Sequence, residues 1–366
     1  MVDILLVTLG LRKPNGGAMS AAKLFYDMMK KSVNFVIIEE ISYISSDKIY
    51  DKSNPIRLEQ EVRRIEAYIN QVIATYDIDL IHVNCFDLFY PIIKSDVPVL
   101  YSLHDNPIYR YQFDSLLANP LNLIELLFTI QRNFQKRKSL LQYSNIHLFS
   151  NYQQKLLSRS YPDKNYFVIP QQVNPVFKQS KIYPQASRDF HIISIVGQIS
   201  FNKNQLRLLE ILKYLSEKKL VIVLVGSYIP VGGYFNLRKL LGQQSDHHQI
   251  YWLNDIDAMQ VSKIYLMSDL YISFSQNESF GLTVLEALQS GLPVVATKTG
   301  GFVEFRNYYP DQLFLIDHDD TAEDIAEKIR NAIDHGKTDH PSEFIEHDDY
   351  IRSWLHTYQE LIDDNK

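Results

Sequence analysis

The chain alternates short, uniformly apolar runs with longer amphipathic stretches, and it does so twice, on either side of a polar, irregular segment at Lys178–Arg188. A run that is apolar at every position does not suit a half-wetted sheet, where polar and apolar residues alternate. It needs cover on both faces, and helices from the intervening stretches supply it. The pattern therefore predicts parallel sheets wound with helices. In the first half, strands are expected at Asp3–Thr8, Asn34–Ile38, Leu80–Asn84, Val97–Leu103, Ile146–Ser150 and Tyr166–Ile169, with helices near Met19–Lys31, Arg57–Tyr76 and Ile124–Leu141. In the second half, strands are expected at Phe190–Val196, Leu220–Val225, Ile250–Leu253, Leu270–Phe274, Val294–Thr297 and Leu313–Ile316. Helices are expected near Gln205–Glu217, Asp257–Met267, Leu282–Ser290 and Ala322–His335.

A length of 366 residues fits two such α/β domains. The expected boundaries are 1–185 and 186–347, with a C-terminal helix of about 348–366 returning to the first domain. Ligands in doubly wound folds sit at the carboxyl ends of the strands, and two facing domains would make a cleft there. The net charge of −6 divides unevenly: residues 1–188 carry +5 and residues 189–366 carry −11. That division suggests different surfaces for different partners, and a sequence pI near 6.0 argues against a dedicated nucleic-acid binder. Cys85 is the single cysteine, so an internal disulfide and a multi-cysteine zinc site are excluded. The first ten residues lack the basic flank and cleavage site of a signal peptide, and no 18-residue apolar run is present. The expected location is cytoplasmic, or peripheral at the inner face of a membrane.

The stretch Ser273–Val295 is the most informative. A strand ends near Phe274, a loop carries Glu278, Gly281 permits close backbone approach, and a helix begins at once. Amides at Phe280, Gly281 and Leu282 would face outward with the positive end of the helix dipole, an arrangement that suits phosphate. Glu278 and Glu286 flank that anion site. As carboxylates they are poor phosphate ligands and good acceptors for sugar hydroxyls.

With these residues in view, the chain resembles the retaining nucleotide-sugar glycosyltransferases of family 4, which have two facing Rossmann-like domains (the GT-B fold). Glu278 and Glu286 match that family's Glu-x7-Glu motif, and Gly300-Gly301-Phe302-Val303-Glu304 resembles its Gly-Gly-x-x-Glu element. Leu224-Val225-Gly226 resembles the strand end before a ligand loop. Ile250-Tyr251-Trp252-Leu253-Asn254 resembles the segment near the nucleotide base, and Ile169–Asn174 the stretch before the linker. The resemblance implies that Glu286 holds the donor ribose, that Glu278 contacts the sugar ring, and that amides from Ser279 onward bind phosphate and sugar. It places Trp252, Leu253 and Asn254 beside the nucleotide. Lys203 matches the family's diphosphate-binding Lys, whereas Gln198 stands where an Arg is usual, which removes one positive charge.

In the first half, Gly16 and Gly17 open a helix after the first strand, where the family's glycine-rich loop lies near the donor phosphate. His104 resembles the family's His near the transferred sugar; a strand-end histidine beside Asp105 is equally compatible with a structural role. Asp317-His318-Asp319-Asp320 has the look of a metal cluster but reads as a helix start with acids in the first turn. No metal and no cofactor is expected, and no Gly-x-Gly-x-x-Gly follows a strand. The resemblance implies metal-independent, retaining transfer of a hexose or N-acetylhexosamine from a nucleotide-sugar, a UDP-sugar first among them, with His104, Glu278 and Lys203 in the catalytic roles. The acceptor would be a glycan, a lipid-linked sugar or a protein, as in cell-surface glycan assembly. The alternative is a catalytically weak, transferase-like subunit that binds or stabilises another transferase. Leu121–Leu141, with Arg132, Lys136, Arg137 and Lys138, combines apolar residues at helical spacing with a basic end, which predicts contact with an anionic membrane or an anionic acceptor. A partner subunit or self-association is also compatible with the sequence.

Overall fold

The computed structural model describes residues 1–8, 11, 17–39, 66–84, 93, 95–106, 119–123, 126–127, 130, 137, 140–178, 188–229, 232–339 and 342–365. Contacts divide the chain into two compact units. One comprises Met1–Ile108, Arg132–Gln172 and Ile345–Lys366; the other comprises Tyr109–Gln131 and Val173–Phe344. Each contains one six-stranded parallel sheet flanked by helices, the doubly wound architecture expected from the apolar runs.

In the first unit the strands are β1 (Asp3–Thr8), β2 (Asn34–Glu39), β3 (Leu80–Val83), β4 (Val99–Ser102), β5 (Asn145–Leu148) and β6 (Asn165–Val168), in the order β2-β1-β3-β4-β5-β6. Alternate side chains of β1 go to opposite faces. Leu5 and Val7 join Ile69, Val72, Ile81 and Tyr143, with Ile69 and Val72 coming from a helix over 66–75. Ile4 and Leu6 join Phe25 and Met29 of α1 (Gly17–Met29) and the aromatic residues of the C-terminal helix His347–Asp363. Both faces are dry, so the strand needs no polar alternation.

The C-terminal helix is tied to this sheet by a buried polar chain. The Ile169 carbonyl can only accept, so His147 Nε2 carries the proton at 2.9 Å and His147 Nδ1 accepts from the Ser102 hydroxyl at 2.8 Å. Ser102 then accepts from His82 Nε2 at 2.8 Å, and His82 Nδ1 accepts the Tyr358 hydroxyl at 2.8 Å. Burial keeps both imidazoles neutral: His82 is held well below its ordinary range and His147 is pushed down to about 3. Trp354 lies against both rings, with centroids 5.1 and 4.5 Å away.

In the second unit the strands are β7 (His191–Val196), β8 (Leu220–Val225), β9 (His248–Leu253), β10 (Leu270–Ser273), β11 (Val294–Thr297) and β12 (Leu313–Ile316), in the order β12-β11-β10-β7-β8-β9. The stretch Gln205–Glu217, expected as one helix, is broken into a 3₁₀ turn (Gln205–Arg207), one α turn (Leu208–Ile211) and a second 3₁₀ turn (Leu212–Tyr214). Asn204 enters it in the left-handed conformation with φ 49° and provides no side-chain cap. Leu208, Ile211, Leu212 and Leu215 are all buried in the core of this unit. A helix at Gly232–Leu241 was not expected from the sequence and packs Leu237 and Leu240 into the core. No helix among the described residues is long and apolar enough to cross a membrane.

Candidate functional site

In the second sheet the chain runs outward from β7 through β8 to β9, then returns to β10 and runs the other way. The reversal falls between β7 and β10, which are neighbours. Doubly wound sheets bind ligands at such a switch point, because the two loops leave in opposite directions and open a crevice. The loops there are Gly197–Asn204 after β7 and Phe274–Gly281 after β10. They carry Gln198 and Lys203 on one side and Glu278, Ser279, Phe280 and Gly281 on the other, so six of the expected residues lie at the switch point for a topological reason.

The two loops are stitched together. Gln276 donates its backbone N–H to the Asn202 carbonyl at 2.7 Å and its side-chain amide to the Phe201 carbonyl at 2.9 Å. Asn202 Nδ2 donates to the Asn277 carbonyl at 3.0 Å. On this frame Lys203 Nζ pairs with Glu278 Oε1, with 26% and 15% of the side chains exposed. Gln198 is exposed, and its carbonyl accepts from Gln205 Nε2 at 3.0 Å.

Gly281 caps the helix Leu282–Gln289 in the left-handed region, φ 95°, with no side-chain cap. A Cβ there would lie 1.9 Å from Phe302 Cε1, so both the backbone conformation and the space demand glycine. No side chain caps the first-turn amides, and the Gly281 carbonyl accepts the Val284 N–H at 3.1 Å. Ser279 and Leu282 are half-buried, and Phe280 is buried against Phe305 at 5.0 Å between centroids. Phe280 therefore builds the wall, and its carbonyl holds the Gly301 N–H at 2.9 Å.

Glu286 lies one turn further on. It keeps part of its surface open, yet the surrounding protein depletes water around the carboxyl and pushes it up to about 8. No cation pairs with it among the described residues. Glu278, and Glu286 when ionised, also act on Tyr271, whose hydroxyl donates to the Val196 carbonyl at 3.1 Å and to Thr283 Oγ1 at 2.9 Å. Tyr271 and Thr283 tie β10, the end of β7 and the helix together beside the two carboxylates. The sequence reading missed both, since a tyrosine in an apolar strand carries no sign of its neighbours.

Trp252 and Leu253 end β9 and Asn254 follows it, two strands from the switch point. The Trp252 indole N–H donates to the Gly226 carbonyl at 2.8 Å, and the Gly226 N–H to the Leu253 carbonyl at 2.9 Å. Gly226 has φ 130°, and a Cβ there would be 2.5 Å from the Gly197 carbonyl oxygen, so this glycine lets the β7 and β8 ends close up. Tyr228 packs on Trp252 at 5.8 Å.

In the first unit the switch point lies between β1 and β3. Asn84, just past β3, donates its backbone N–H to the Val7 carbonyl at 2.8 Å, and its side-chain oxygen accepts from His104 Nε2 at 2.7 Å. His104 also packs on Phe149 at 4.7 Å. Gly17 begins α1, whereas Gly16 lies outside the described residues, as do Cys85, Arg132, Lys136 and Lys138. In the second unit, Leu123, Leu127 and Ile130, each in helical conformation, are 50, 58 and 50% exposed. Among the described residues no group of three His, Cys, Asp or Glu could hold a metal ion. Asp320 accepts the Asp317 N–H at 2.9 Å and pairs with Lys328, in keeping with the helix start read there.

Residues 178–347 match the family model for glycosyl transferases group 1. This match overturns the family 4 label drawn from the motifs: the segment, a little under half of the chain, is similar to group 1. The Glu-x7-Glu and Gly-Gly-x-x-Glu patterns lie within the matched segment. The gpi3 subunit of phosphatidylinositol N-acetylglucosaminyltransferase from Schizosaccharomyces pombe is 25% identical over 153 residues, 41% of this chain and 33% of that protein. The chain spans a third or less of the length of the curated relatives it matches. Among solved structures, sucrose-phosphate synthase from Thermosynechococcus elongatus aligns with TM-score 0.67 at 15% identity, covering 100% of this chain and 94% of that one. A glycosyltransferase from Rickettsia africae aligns with TM-score 0.64 at 19% identity, covering 99% and 98%. The two helix-flanked parallel sheets are those of the GT-B fold of known glycosyltransferases.

Proposed function

We propose that the chain is a glycosyltransferase that moves a sugar from a nucleotide-sugar, a UDP-hexose or UDP-N-acetylhexosamine, to a hydroxyl of a glycan, lipid-linked or protein acceptor with retention of configuration. The observation that carries this reading is the meeting of an ammonium, two carboxylates and an uncapped helix start at the switch point of the second sheet. Breaking the glycosidic bond to a diphosphate puts negative charge on the leaving oxygen and positive charge on the sugar. Lys203 and the amides from Ser279 to Leu282 stabilise the first, and Glu278 accepts from hydroxyls of the second. Glu286 holds the ribose. With its carboxyl raised to about 8, it is protonated at neutral pH and can donate as well as accept. His104 is assigned to the transferred sugar, Gly16 and Gly17 to the donor phosphate, and Trp252, Leu253 and Asn254 to the base. In this reading Lys203 and the backbone dipoles carry the electrostatic work otherwise done by a metal.

A second reading, a transferase-like subunit with weak activity, is favoured by Gln198, whose neutral amide stands where the resemblance expects a guanidinium. The experiment that separates the two is a nucleotide-sugar panel with purified protein, followed by mass spectrometry of products. Turnover supports the enzyme. Nucleoside diphosphate binding without turnover of any donor, by hydrolysis or transfer, supports the subunit. Neither binding nor turnover refutes both.

A further inference from the structure

The ion pair between Lys203 and Glu278 has a consequence for how the site would distinguish donor from product, resting on the donor-site reading above. Both side chains are mostly shielded, and the loops bearing them are fixed by Asn202, Gln276 and Asn277 independently of the pair. The ammonium can therefore change partner without the loops coming apart. Glu278 is also anchored from behind: its N–H donates to Thr299 Oγ1 at 3.3 Å, and a Cβ on Gly300 would lie 2.7 Å from its Cβ and carbonyl oxygen. The carboxylate thus stays beside the crevice when it releases Lys203.

We propose that Glu278 is an internal competitor of the diphosphate for Lys203, and that this competition selects nucleotide-sugar over free nucleoside diphosphate. Two anions contend for one ammonium. An incoming diphosphate must displace the Glu278 carboxylate, which is left charged and partly desolvated. A nucleotide-sugar compensates that loss, because its sugar hydroxyls donate to the released carboxylate. A free nucleoside diphosphate brings no such donors. After transfer the carboxylate returns to Lys203 and expels the product. Glu278 is accordingly a specificity-determining residue in addition to a contact for the sugar.

The test is calorimetric titration of the full chain with UDP, GDP and ADP, then of Glu278→Gln and Glu278→Ala with whichever binds. Glu278→Gln removes the charge and keeps the shape, so it should tighten nucleoside diphosphate binding about tenfold, the scale of one partly shielded ion pair. Glu278→Ala should move affinity in the same direction. The tightening should vanish when Lys203→Gln is combined with either change, a coupling that a merely structural role for Glu278 would not produce. Thermal unfolding of each variant confirms that it is folded; should Glu278→Gln fail to fold, Glu278→Ala decides. Unchanged or weakened nucleoside diphosphate affinity in the folded variant overturns the competition while leaving the donor-site reading in place. Failure of all three diphosphates to bind the wild-type chain overturns both.

Discussion

Replacing Glu286 by Gln should make the protein more stable, and by an amount that depends on pH. The carboxyl sits at about 8 in the folded chain against an ordinary value of 4.5, because burial penalises its ionised form and no cation among the described residues offsets the penalty. The sign follows from proton counting. Between the two values the folded state holds a proton that the unfolded state has released, so raising pH through that window favours unfolding. Below pH 4.5 both states are protonated and the residue contributes no pH-dependent term. At pH 7 the cost to the wild-type chain is at most about 3 kcal/mol, and above pH 8 it levels off near about 5 kcal/mol. Water reaching the open side of Glu286 brings the expected figures down to about 1–3 kcal/mol. Gln is uncharged throughout and escapes the cost. Urea unfolding of both proteins at pH 5, 7 and 9 should show the stability of Glu286→Gln over wild type growing with pH and then saturating. A difference that stays flat from pH 5 to 9 would refute the claim that burial of an unpaired carboxyl governs this position.

Three other outcomes are expected. Lys203→Ala should lower turnover on the order of a hundredfold, about 3 kcal/mol, as for a lost oxyanion donor, and steady-state rates with saturating donor check this. Tyr358→Phe should cost about 1–3 kcal/mol of stability by leaving His82 Nδ1 buried without its donor, measured by denaturant unfolding. Leu123, Leu127 and Ile130 with the basic residues after them should bind anionic vesicles more strongly than neutral ones, and Leu127→Asp should weaken that binding in co-sedimentation; equal, negligible binding to both vesicle types would remove the membrane contact.

The strands were readable because a buried parallel strand leaves an undiluted signature. Ile4 to Val7 are completely buried, and so are Leu270 and Ile272, with both faces covered by helices. The helix at Gly232–Leu241 escaped notice because it opens on two glycines, which are poor helix formers, and only its packing against the core rescues it. The broken stretch after Asn204 reads as a plain amphipathic helix, since spacings of three and four look alike over so few residues. Within the candidate site, Glu278 and Gly281 were legible as candidates from their place between a strand end and a helix, and Lys203 only through the family resemblance. Their mutual pairing was not, because it depends on β7 and β10 being neighbours, which no local pattern encodes. The protonation of Glu286 was equally hidden: a carboxylate in a sequence carries no mark of the water it will lose.

The polar chain from Tyr358 to the Ile169 carbonyl also limits how this protein can change. Every link has a direction, and the direction is imposed from the far end by a carbonyl that can only accept. A substitution that swaps donor for acceptor at any one place therefore misaligns the next. Ser102→Ala, for instance, would leave one histidine with a proton and no acceptor and the other with a lone pair and no donor. His82, Ser102, His147 and Tyr358 thus behave as one inheritable character spread over 277 residues of sequence. The viable routes are to keep all four or to exchange them together for apolar groups of matching volume, and the C-terminal helix would then be held by packing alone.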